Sequence, residues 1–443
     1  MKIPEKTPEF SAIEMPLTPE ITNKLSSIIK KANNEYMYWD EFKYLPMPSG
    51  ILPEQVWNLL KMYRLVQLKY ISLVDSKDKP FSYCLPDCVH RDIHFIDQQA
   101  GGSIIVDDPS VASEEKRRYM MRSLVDEAIS SSQIEGAATT RIVAKEMLRT
   151  GRKPKDHSEQ MIYNNFQSMQ MIKKHLKEPL SIELIREVHT HMTKDTLEDA
   201  SWAGRFRTPT DDKIYVFDND EQTVLHEPPN ATKIVDLMQK LCDFANSDGR
   251  DEFVNPIIKG ILLHFWLAYV HPFMDGNGRT ARALFYWYVL KQGYWGFEYL
   301  SVSTAILSAR AQYYRSFLYS EMDGNDATYF IVYNLKALHK ATALLNEYIA
   351  RKQKEKKNAY RLASRYPSLN IRQRTLLASA LEKQNEVYAI ETHAHIHGVT
   401  YQTARTDLLG LKDLGLLTMN KPGKKFLFSP SPDLLMQIEK EAS

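Results

Sequence analysis

His271-Pro272-Phe273-Met274-Asp275-Gly276-Asn277-Gly278-Arg279-Thr280-Ala281-Arg282 joins two helical patterns, Pro256 to Val270 and Arg279 to Gln292. Its residue types describe an anion site. Gly276 and Gly278 let the backbone approach a ligand closely, and Asn277 is expected to cap the following helix, whose free N–H groups and dipole attract phosphate. Arg279 and Arg282, three apart, share a helix face and offer planar guanidinium groups to phosphate oxygens. Asp275 provides a hard oxygen ligand beside that anion, suited to Mg²⁺ held jointly by one carboxylate and a nucleotide's phosphates. His271 is left to accept a proton. Phosphoryl-type transfer needs positioning and charge stabilisation more than covalent help, and this set offers both. A lone Gly-x-Gly or a lone His reads more simply as a turn and a packed core residue. Twelve contiguous residues with every role filled point instead to nucleotidyl transfer.

Outward from this stretch, the chain from about residue 113 to 350 is strongly helical, with periodic patterns over Glu114 to Ile134, Thr139 to Arg149, Ser158 to His175, Ser181 to Met192 and Thr232 to Ala245. One segment breaks the pattern: Ile214 to Phe217, the polar turn Asp218 to Glu221, then Thr223-Val224-Leu225-His226 read as a β-hairpin closed by Pro228-Pro229. The first 110 residues read as helices (Thr18 to Ala32, Pro53 to Val74) with Pro-containing connections, and Gly101-Gly102 with Asp107-Asp108-Pro109 marks a boundary. Arg351 to Lys357 reads as a solvated helix end or linker. Beyond it, helix Ile371 to Lys383, an apolar segment near Val387 to Ile396, helix Tyr401 to Leu414 and a strand at Lys424 to Phe428 suggest a winged helix-turn-helix. The expected domains are therefore 1–110, 111–350 and 351–443, in a mainly α fold.

The bulk composition narrows the classes further. A chain of 443 residues with 25% charged and 43% hydrophobic residues is folded and multi-domain, and its net charge of +2 is too small to imply a nucleic-acid or membrane partner by itself. The apolar stretch Ile257 to Met274 carries Lys259, His264 and His271, so a buried helix is expected rather than a membrane span. Three cysteines cannot build a disulfide framework, and the N-terminus lacks an apolar secretory core, which together point to a reducing cytoplasm.

The twelve-residue string resembles the signature of the Fic family, His-Pro-Phe-x-Asp-Gly-Asn-Gly-Arg-x-x-Arg, and matches it at every fixed position. The resemblance covers roughly Ser113 to Ala350. It implies a helical Fic fold with a β-hairpin flap and transfer of AMP from ATP to a Ser, Thr or Tyr hydroxyl of a target protein, self-modification included. His271 would be the base and Asp275 the Mg²⁺ ligand. Gly276, Asn277, Gly278, Arg279, Thr280 and Arg282 would hold the phosphates, and Tyr313 and Tyr314 would lie near the nucleotide base. Thr223 to His226 would pin the target segment by strand addition, with Trp202-Ala203-Gly204-Arg205-Phe206-Arg207 as the lead-in to the flap.

A second string, Ser131-Ser132-Gln133-Ile134-Glu135-Gly136, resembles the family's inhibitory motif, Ser/Thr-x-x-x-Glu-Gly/Asn. Ser131 and Glu135 share a helix face, and Gly136 is the residue type that ends a helix in the left-handed conformation. The resemblance pairs Glu135 with Arg282. A hundredfold suppression of productive binding needs roughly 2.7 kcal/mol, within reach of one partly buried Arg–carboxylate pair. The same carboxylate would serve the reverse reaction, removal of AMP, and the resemblance also leaves room for another Fic-type donor and for a homodimer in which the motif acts across an interface.

Two readings compete. A nucleotide-sensing DNA-binding regulator would use residues 358–443, with Arg405, Lys412, Lys421, Lys424 and Lys425 as phosphate contacts. Cys84-x-x-x-Cys88-Val89-His90-x-x-x-His94 offers the ligand types of a tetrahedral zinc site at an unusual spacing, against the plainer reading of a buried loop with two thiols and surface histidines.

Overall fold

The computed structural model describes residues 3–9, 18–100, 113–217, 223–247, 253–364, 366, 368–382, 386–421 and 426–440. The chain divides into two compact units, Met1–Ala343 and Leu344–Ser443. The helix Thr328–Ala363 passes through the division, so the Lys-rich run at 351–357 lies inside a helix rather than at its end.

The first unit is organised around two helices. Pro256–Val270 is buried on nearly every side, as an all-apolar helix must be in a soluble core. It starts at Asn255, whose side chain accepts from Ile257 N, and it ends where His271 enters the left-handed region at φ 49°. Asn277–Lys291 follows after a six-residue turn and is buried along most of its length. These two make the most extensive helix pair in the molecule. At Gly260 the approach is so close that a Cβ would lie 3.0 Å from Val289 Cγ1. Ser113–Ile134, His157–Ile172, Ile182–Thr193 and Ile234–Asn246 surround the pair. Two of these starts are capped by side chains, Asp156 accepting from Glu159 N and Ser181 from Leu184 N, and acidic Asp236 lies in the first turn of the last.

The N-terminal part of this unit departs from the sequence reading. Pro53–Leu65 stops early, and Lys69–Val74 pairs with Pro80–Tyr83 as an antiparallel hairpin. Alternating burial along Lys69–Val74 is the signal that a helical reading overlooks. The Asp75 side chain accepts from Lys77 N and Lys79 N, closing the turn. Asp87–Ala100 is a helix where a loop was expected. It buries Cys88, as Cys84 is buried just ahead of it, while His90 and His94 face solvent. The four therefore do not converge, and no group of three metal-ligating side chains occurs among the described residues. The Gly101-Gly102 boundary and Asp107-Asp108-Pro109 lie outside the described residues. Buried contacts tie the N-terminal helices to the core: Tyr36 donates to Asp326 at 2.6 Å, and Arg64 donates to the Tyr329 hydroxyl at 2.9 Å.

The second unit runs helix Ile371–Glu382, strand Tyr388–Ala389, helices Ile390–His397 and Tyr401–Asp413, strands Leu417–Asn420 and Leu427–Pro430, and helix Leu434–Lys440. Its three strands are antiparallel, with Leu427–Pro430 in the centre. Its own core includes Leu377, Ile390, Leu408, Leu411 and Phe428. Lys424 and Lys425 lie outside the described residues. No helix among the described residues is long and apolar enough to cross a membrane.

Candidate active site

His271 sits at the C-terminal end of the apolar helix. Its Nδ1 lies 3.2 Å from the Ala268 carbonyl, which only accepts, so Nδ1 carries the proton and Nε2 is left as an acceptor. Burial, then the positive charge of His226, push the imidazole down to about 4. It is neutral at physiological pH and available as a base.

The turn after His271 is held by internal bonds. Asn277 Oδ1 accepts from Phe273 N at 2.9 Å and its Nδ2 donates to Phe273 O at 2.8 Å. Asn277 therefore does not cap the helix as expected. The cap position belongs to Gly276 (φ 77°), and the asparagine side chain reaches back to Phe273 instead of forward. His189 stacks on Phe273 with ring centroids 3.7 Å apart and donates from Nε2 to the Asp275 carbonyl at 2.8 Å. Thr280 directs both its N–H and its hydroxyl to the Gly276 carbonyl. That leaves the N–H groups of Asn277, Gly278 and Arg279 as the free donors of the helix N-terminus.

The two arginines point in different directions. Arg279 is wholly buried, donating to Met192 O at 3.2 Å and to Asp275 Oδ2 at 3.3 Å. Burial lowers its pKa, and its Nε is buried without a partner. It supports Asp275 from behind rather than facing the cavity. Asp275 itself turns outward, with 57% of its side chain exposed. Arg282 donates from Nε to Ser131 Oγ and from Nη2 to Ser131 O, both at 2.8 Å, and its Nη1 lies 2.9 Å from Glu135 Oε1. Burial opposes the Arg282 charge, and Glu135 together with Tyr313 and Glu127 outweighs it, so the pKa rises.

Glu135 follows the last residue of the helix Ser113–Ile134, and Gly136 (φ 96°) turns the chain away. Its carboxylate lies against the signature helix so closely that a Cβ at Gly278 would collide with it, coming within 2.7 Å of the carboxyl carbon. The carboxylate thus stands over the free donors of that helix, where an anion would bind.

A cavity of about 330 Å³ opens here. Of the residues singled out from sequence, Glu135, Leu225, His226, His271, Gly278, Tyr313 and Tyr314 line it; Ser131, Thr223, Val224, Asp275, Gly276, Asn277, Arg279, Thr280 and Arg282 are not among its lining residues. Tyr313 is buried with its hydroxyl 2.9 Å from His264 Nε2, and the Tyr314 hydroxyl receives Arg310 Nε at 3.3 Å. The flap strands are short: Val216–Phe217 pairs with Val224–His226, Val216 opposite His226. The turn Asp218 to Glu221 lies outside the described residues. Val224 faces solvent, whereas His226 turns inward.

Three contributors were not assigned roles from sequence. Arg207 donates to the carbonyls of His271, Val270 and Pro229, joining the turn after the apolar helix to the end of the hairpin segment. Glu127, fully buried, accepts from Tyr286, Ser301 and Ser303. Its signal was available: Glu127, Ser131 and Glu135 recur every four residues on one helix face. Glu321 pairs with His226 at 2.9 Å, a partnership across 95 residues that no local spacing reveals.

Residues 179–289 match the Fic/DOC family. Over 185 residues the chain is 29% identical to the protein adenylyltransferase Fic of Drosophila willistoni, covering 40% of this chain and 33% of that protein. Over 194 residues it is 29% identical to the Drosophila virilis protein of the same name, covering 41% and 36%. The match spans about a third of the length of these curated relatives. A Fic family protein from Desulfovibrio desulfuricans G20 has the same fold, with a TM-score of 0.55 at 17% identity over 79% of this chain and 98% of that one.

Proposed function

Because the chain carries a Fic/DOC family domain, we propose that it transfers AMP from ATP to a hydroxyl of a protein. One observation carries this reading: the free Nε2 of His271 shares a cavity with Gly278 in the first turn of the signature helix, the helix end whose backbone N–H groups have no intrahelical acceptor. The hydroxyl proton passes to His271 Nε2 as its oxygen bonds to the α-phosphorus. The bond from that phosphorus to the bridging oxygen breaks, and pyrophosphate leaves toward the helix N-terminus. Tyr314 and the neighbouring apolar wall suit the base, and the exposed edge of Val224 suits an extended target segment. Self-modification is the simplest readout.

Asp275 fits the role of a Mg²⁺ ligand: its carboxylate is exposed beside the helix N-terminus and has only a long contact to Arg279. Mg²⁺ there would neutralise phosphate charge, and Arg279 would fix the Asp275 side chain.

In this arrangement Glu135 holds Arg282 and occupies the anion position, which supports an inhibited resting state. Incubation with ATP labelled at the α- or γ-phosphate tests the reading. Label is expected only from the α-position, at least tenfold stronger in Glu135→Gly than in wild type and absent in His271→Ala. Label from the γ-position would make the protein a kinase, and equal labelling of Glu135→Gly and wild type would remove the brake. Loss of AMP from a modified protein, dependent on Glu135, would establish the reverse direction.

A second reading concerns the C-terminal unit. Its order of helices and strands supports a winged helix, and Tyr401, Gln402 and Thr406 are exposed on the helix Tyr401–Asp413. Retention of the full chain on duplex DNA that weakens with salt would establish a nucleic-acid role; no retention at low salt would remove it.

A further inference from the structure

The last carbonyls of any α-helix lack intrahelical partners and attract positive charge. In the helix Pro256–Val270 they are satisfied in a particular way. Ala268 O accepts from His271 itself, Val270 O accepts from Arg207, and Tyr269 O lies 2.7 Å from Nε2 of His226. His226 is the final residue of the flap strand Val224–His226. Its other nitrogen, Nδ1, lies 2.9 Å from Glu321 Oε2, on the helix Arg310–Met322.

A carbonyl accepts and never donates, so Nε2 of His226 carries a proton. Nδ1 faces a carboxylate, so it donates as well. An imidazole donating from both nitrogens is a cation. We propose that Glu321 and His226 are positioning residues for His271: the carboxylate holds the flap histidine doubly protonated, and that cation pins the flap to the helix end that carries His271. The proposal rests on His271 being the base.

The groups facing His226 come from three elements. Glu321 comes from the helix Arg310–Met322, Tyr269 and His271 from the apolar helix end, and Arg207 from the segment before the flap. Burial and Arg207 oppose the His226 charge, and Glu321 with the Tyr269 carbonyl outweighs them, so the imidazole titrates above its usual 6.5. The sign follows. A pKa raised in the folded chain means the clasp is whole below 6.5 and is lost as pH rises through the folded-state value. His271 then loses a neighbouring cation and becomes more basic.

Histidine side-chain NMR on the full chain, with resonances assigned through His226→Gln and His271→Ala, tests this without turnover. In Glu321→Gln, whose amide oxygen still accepts from Nδ1, the His226 titration should fall by on the order of one pH unit. In His226→Gln the His271 titration should rise. AMP transfer in a Glu135→Gly background should show an alkaline limb that moves to lower pH with Glu321→Gln. A purely structural Glu321 would lower rates equally at every pH and leave both titrations in place, and that outcome overturns the proposal. Absence of transfer from α-labelled ATP at every pH would instead remove the transferase reading, while the NMR titrations would still decide the clasp.

Discussion

Gly276 holds φ 77°, and a Cβ there would come within 2.5 Å of Thr193 Cγ2. Both the backbone and the space require glycine, so Gly276→Ala should cost about 1–3 kcal/mol, read as a lowered midpoint in urea unfolding. His271 has a different kind of constraint. Its pKa is depressed to about 4 even though Glu135 raises it, so the acid limb of AMP transfer by Glu135→Gly should fall at or below pH 4 rather than near 6.5. For stability the sign is that of a buried neutral histidine: the contribution is whole above the usual 6.5 and declines as pH falls through the folded-state value. An acid limb near 6.5 would mean that the imidazole is solvated.

At the scale of elements, Glu127 within the helix Ser113–Ile134 and Glu135 just past its end make separate contacts. Glu135 reaches the anion position, and Glu127 fastens the helix to Tyr286 and to the start of the helix Val302–Leu307. Burial raises the Glu127 pKa, and four donors hold the carboxylate in place. Glu127→Ala removes the acceptor of the buried Ser303 N–H and hydroxyl, a loss of about 1–3 kcal/mol. Because the lost contacts are those of the helix that leads into Glu135, the proposed brake predicts that α-label incorporation rises several-fold in this variant although Glu135 is intact. Unchanged labelling with reduced stability would show that the helix keeps its place without Glu127. The flap shows the complementary case: two short strands have little pairing of their own, and Arg207 and His226 supply the attachment.

At the scale of the whole molecule, all the residues assigned to the candidate site belong to the unit Met1–Ala343. A chain ended after Ala363, which keeps the helix Thr328–Ala363 whole, should label itself with AMP within about twofold of the full chain when both carry Glu135→Gly. Loss of labelling in a folded truncated chain would assign the C-terminal unit a part in the reaction.

The sequence alone determined the local features: the apolar helix, the histidine at its end, the turn with its glycines, and the Ser131/Glu135 face. Each depends on periodicity or on neighbours within about one helical turn. Hairpin Lys69–Val74 with Pro80–Tyr83 was missed because its alternation is short and adjoins a true helix. Only the tertiary structure decided that Arg279 turns inward onto Asp275, that Asn277 binds Phe273 rather than capping, and that Glu321 meets His226. It likewise decided the His271 protonation state, because a pKa is set by the burial and charge brought around a group by distant parts of the chain.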